Sequence, residues 1–138
     1  MGLDCYIVHG NDRDKPFTSE DAEELKDVQL CGSLFTSGRG NDGSFRGKFY
    51  EPFVDRVMGT VGIWHIHDSE GAHVTAAELK EQAEQIEKGL SAYEPGELVK
   101  IPHPWYDEDA EYEYQELKDL ATLLHVAGSR GAVMLCWW

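Results

Sequence analysis

A chain of 138 residues has the usual size of one domain and can bury roughly two thirds of its unfolded surface, so we expect one globular domain over residues 1–138. Its hydrophobic content of 41% and aromatic content of 11% exclude a disordered chain, which lacks the apolar residues a core requires. The 26 acidic and 12 basic residues give a formal charge of −14, which argues against direct, phosphate-led nucleic-acid binding and against adhesion to anionic membranes.

Leu3–Val8 is β-branched and aromatic enough for a first strand, closed by the turn chemistry of Gly10-Asn11-Asp12. Thr18-Ser19-Glu20-Asp21 opens a short helical stretch with acids in its first turn and with Leu25 and Val28 on one apolar side. Residues 28–35 suit either the end of that helix or a second strand, and residues 36–47, with glycines at 38, 40, 43 and 47, form a loop. Phe49, Phe53, Val54 and Val57 recur at helical spacing before Gly59, and residues 60–67 alternate as an extended segment.

Thr75-Ala76-Ala77-Glu78 is a capping box and predicts a helix whose Leu79, Ala83, Ile86 and Leu90 share a face, with Glu84 and Lys88 in the order that favours an ion pair. Tyr93 to Tyr106 forms a connector, extended around Ile101-Pro102-His103-Pro104. A last helix is expected from about Asp107 to Ala127, stopped at Gly128, with acids crowded into its first half. Residues 131–137 are a near-continuous apolar run, suited to a strand buried on both faces next to the N-terminal one. We therefore expect an α/β fold, with α+β as the alternative: one small sheet that includes the N- and C-terminal strands, covered by three to four helices.

Cys5, Cys31 and Cys136 lie far apart in apolar stretches, without metal-type spacing, and suit buried thiols in a reducing compartment. The N-terminus has no basic region followed by an apolar run, and no stretch reaches the ~20 apolar residues of a membrane span, so a cytoplasmic location is expected.

Three places could carry chemistry. Gly38-Arg39-Gly40-Asn41-Asp42-Gly43 matches a dinucleotide fingerprint in its glycines, but Gly47 delays the helix that must follow and no acid stands at the required distance. The same loop is a basic island of Arg39, Arg46 and Lys48, a candidate anion site unless these bases pair with the chain's own acids. His65 and His67 share one face of an extended segment and could give two ligands to a divalent transition metal, although spacing identifies no third. Trp105 and Tyr106 beside Glu108, Glu111 and Glu113 could form a partner-binding face.

The Met1-Gly2-Leu3-Asp4 start, the Phe45-Arg46-Gly47-Lys48-Phe49-Tyr50 segment and the terminal Trp137-Trp138 resemble a group of small bacterial and phage proteins without an established activity. The resemblance implies only that the glycine-rich loop and the C-terminal strand belong to one recurrent fold.

These residues lead us to expect a cofactor-free, non-enzymatic binding or regulatory protein whose acidic face meets a basic protein partner, nucleic-acid mimicry being one form. The alternative is a binding protein for a small anionic or phosphorylated ligand, or a metal-dependent hydrolase, built on Arg39, Arg46 and Lys48 with His65 and His67.

Overall fold

The computed structural model describes residues 3–10, 14–26, 28, 44–47, 72–102 and 109–137. The expected helix at 49–57, the extended segment at 60–67, the ambiguous stretch at 29–35 and the glycine-dense residues 36–43 lie outside them.

β1 (Leu3–Val8) runs antiparallel to β2 (Ser44–Gly47) on one side and to β6 (Val133–Trp137) on the other, and β3 (Ala72–Val74) joins the far edge of β6. The sheet order is thus β2-β1-β6-β3. The terminal strands are neighbours, as expected, with Cys5 opposite Cys136 and Ile7 opposite Met134. β2 corrects one expectation, because its four residues were read as part of the glycine-rich loop. Along β6 the buried Met134 alternates with the half-buried Val133 and Leu135, which is the pattern of one covered face rather than two.

Beyond β1 the chain turns at Gly10, whose φ of 60° is a left-handed conformation that glycine adopts without penalty. It then doubles back: His9 N–H donates to Lys15 C=O and Phe17 N–H to Ile7 C=O, each at 2.8 Å, and this seats Phe17 in the core. The helix expected after Thr18 is instead two 3-10 turns, Ser19–Asp21 and Glu23–Leu25. Ala22, extended at φ −148° and ψ 130°, interrupts the run. The cap at Thr18 forms nonetheless, with Thr18 N–H donating to Asp21 Oδ2 at 2.8 Å and Glu20 N–H to Thr18 Oγ1 at 3.3 Å.

α1 (Ala76–Leu90) starts where its capping box demands: Glu78 N–H donates to Thr75 Oγ1 at 3.3 Å, and Thr75 N–H to Glu78 Oε1 at 3.1 Å. Leu79, Ala83, Ile86 and Leu90 are all buried, as their spacing predicts. The expected ion pair between Glu84 and Lys88 does not form among the described residues; Glu87 instead reaches across to Lys118, Oε2 to Nζ 2.6 Å.

β4 (Leu98–Pro102) and β5 (Asp109–Glu113) form a separate antiparallel pair. The acidic stretch read as the start of the last helix is therefore a strand, and α2 begins only at Tyr114 and runs to Ser129. Its expected stop at Gly128 is also displaced. Gly131, at φ 79°, ends the helix in a Schellman motif: its N–H donates to Gly128 C=O at 3.2 Å, and Ala132 N–H donates to Ala127 C=O at 3.0 Å.

Gly128 has a different task. A Cβ there would stand 2.6 Å from the Ala76 carbonyl oxygen and 2.8 Å from Lys80 Cγ, so only glycine lets the end of α2 approach the start of α1 this closely. With Lys118 meeting Glu87 at the opposite ends, the two helices run antiparallel. α1 also lies against β6, while α2 touches β5 and the second 3-10 turn. One hydrophobic cluster connects Ile7, Phe17, Leu25, Val99, Tyr112 and Met134 with the buried faces of both helices. Fully buried leucines such as Leu79, Leu120, Leu123 and Leu124 contribute about 1.5–3 kcal/mol each to that core. The fold is α+β, mixing helices with antiparallel strands; two α-helices lie among the described residues, and the expected helix at 49–57 falls outside them. None of these helices is long and apolar enough to cross a membrane.

Candidate functional site

Asp109-Ala110-Glu111-Tyr112-Glu113 alternates acid with apolar residue, and in a strand that alternation separates the two classes onto opposite faces. Tyr112 and Val99, directly opposite each other, are buried at 1% and 5% exposure and bind the hairpin to the core. On the other face Glu111 and Glu113 are exposed, and Asp109 has the same place in the alternation. Their partners in register are Pro102, Lys100 and Leu98. Leu98 keeps 49% of its surface exposed, an unusual position for a leucine, and stands across from Glu113.

The electrostatics of this face are unbalanced. Lys100 is its single base among the described residues, with Nζ 3.8 Å from Glu111 Oε1 and both side chains more than half exposed, at 58% and 51%. Such a pair is worth about 0–1 kcal/mol and neutralises one charge of the row. Glu113 also serves as N-cap of α2, but its side chain makes no capping hydrogen bond. Its exposed carboxylate stands at the N-terminal end of α2, where the helix dipole favours a negative charge. Tyr114 N–H instead donates to Glu97 C=O at 3.2 Å, which ties the start of α2 to the start of β4.

The remaining acids at this corner behave differently. Glu116 and Asp119 are buried at 2% and 6% exposure, and Gln115 Nε2 donates to Asp119 Oδ1 at 2.8 Å. These are interior polar groups of α2 rather than parts of a solvated face. Glu116 lies in the first turn, where the helix dipole favours an acid. Glu116 stands four and eight residues before the buried Leu120 and Leu124, so helical spacing puts it on the covered stripe of α2.

Of the residues selected from sequence, Glu111 and Glu113 come together on the hairpin face, two positions apart on one strand. Trp105, Tyr106 and Glu108 lie outside the described residues, as do Arg39, Lys48, His65 and His67. Arg46 falls in β2 opposite Asp4 of β1, a register that places an acid across from this base. Among the described residues no group of three or more histidines, cysteines, aspartates or glutamates could hold a metal ion.

Two side-chain contacts that sequence reasoning missed hold the N-terminal turns in place. Arg130 Nη2 reaches both carboxylate oxygens of Glu24 at 2.8 Å, and this guanidinium holds the Glu24 carboxyl below its ordinary range. His9 Nε2 lies 3.3 Å from Asp21 Oδ2, with the imidazole tilted over Phe17 at a centroid distance of 5.3 Å. Neither pair is near in sequence, so spacing carried no signal for them.

A shallow cleft of about 320 Å³ also opens between α1 and α2, lined by Ala83, Glu84, Glu87, Ala121, Thr122 and His125. Comparison of the chain with protein-family models, with curated proteins and with solved structures gives no match.

Proposed function

We propose that this protein is a non-enzymatic binding or regulatory protein that contacts a basic protein partner through the outer face of the β4–β5 hairpin. The observation that carries the proposal is the exposed pair of Glu111 and Glu113 at alternate positions of β5, with Lys100 as its only opposing base among the described residues and Leu98 exposed beside it. Carboxylates at alternate strand positions repeat every ~7 Å and attract lysine and arginine side chains, while an exposed leucine adds an apolar contact. A row of carboxylates on a rigid element can also stand in for a phosphate backbone, which makes a nucleic-acid-binding protein one kind of partner.

The test uses a fluorescent, lysine- and arginine-rich dodecapeptide titrated with the full chain and with two variants of equal charge. E111Q/E113Q neutralises the hairpin face; E81Q/E84Q neutralises two exposed acids of α1. Binding to the first variant should weaken roughly two- to thirtyfold at low salt, from about 0.2–1 kcal/mol for each of two exposed charge pairs, and binding to the second should not change. Equal weakening in both would mean that the net charge of the chain, rather than this face, attracts the peptide, and would overturn the proposal.

A further inference from the structure

We draw no further inference here: the strongest candidate, the shallow cleft between α1 and α2 floored by Ala83 and Ala121 and edged by Glu84, Glu87, Thr122 and His125, is a furrow between packed helices, and nothing in the structure shows what covers it.

Discussion

Replacing Gly128 by alanine tests the closest approach in the fold. In a free helix the change is favourable by about 1 kcal/mol, because glycine loses more backbone freedom on folding than alanine does. Here the added methyl would meet the Ala76 carbonyl oxygen at 2.6 Å, Lys80 Cγ at 2.8 Å and Leu79 Cβ at 3.3 Å. The lysine can swing away, but the carbonyl belongs to the backbone of α1's first turn, which Thr75 and Glu78 clamp. Overpacking of this kind costs about 1–3 kcal/mol. A rigid backbone contact belongs in the upper part of that range, so the expected net loss is about 1–2 kcal/mol after the gain in propensity. Urea unfolding followed by circular dichroism should show a lower midpoint with an unchanged slope. The double variant G128A/K80A should recover only part of the loss, because the clash with the backbone remains. A G128A protein as stable as the parent would refute the close crossing of α1 and α2.

Gly131 adopts φ 79° as the left-handed terminus of α2, so Gly131→Ala should cost about 1–2 kcal/mol and Gly131→Asn less, read as a graded fall in thermal midpoint. Thr75→Ala removes the acceptor for Glu78 N–H and should cost about 1 kcal/mol in the same assay. Asp21 is held below its ordinary 3.8 first by the Thr18 N–H; burial opposes this, and His9 lowers it further. Its folded pKa is therefore the lower one, and its stabilisation is complete above the unfolded value and disappears as pH falls through the folded value. Asp21→Asn should accordingly be less stable than the parent at pH 6, with the gap narrowing as pH falls below 3.8; a gap that does not narrow with falling pH would assign the effect to packing instead.

Local signals in the sequence located the elements that are stabilised locally. The capping box at Thr75 and the spacing of Leu79, Ala83, Ile86 and Leu90 specified α1 because both operate within a few residues of chain. The apolar run after Gly131 specified β6 as a strand, but it overstated the burial, since only the Met134 face is covered. The span 107–116 misled because acids are favoured at helix starts, and that prior outweighed the strict alternation of Asp109 to Glu113. Only pairing with Leu98–Pro102, a contact across the connector, decides between the two patterns. The stop at Gly131 rather than Gly128 has a separate cause, the Schellman bonds that Gly131 and Ala132 make at the end of α2. Gly128 could be recognised as a special position from sequence, but not as a contact point, since the atoms that require glycine belong to residues about fifty positions earlier.

The strand assignment also determines what neutralising the acidic row can mean. On a helix, acids at the start would support the element itself, and removing them would confuse binding with folding. On the hairpin, support comes from the other face: Tyr112 and Val99 are buried, and truncating a large buried aromatic typically costs about 3–5 kcal/mol. The outer row carries like charges ~7 Å apart, inside the ~8 Å screening length at physiological salt, so its members repel. Glu113 offsets this by about 0.3–1 kcal/mol through the dipole of α2, and Lys100 adds little. The two effects nearly cancel, and E111Q/E113Q should remain within about 1 kcal/mol of the parent. Loss of peptide binding in a variant of unchanged stability then reports recognition by this face. A large fall in stability would instead identify Glu111 and Glu113 as structural groups, and the hairpin would have no surplus charge to offer a partner.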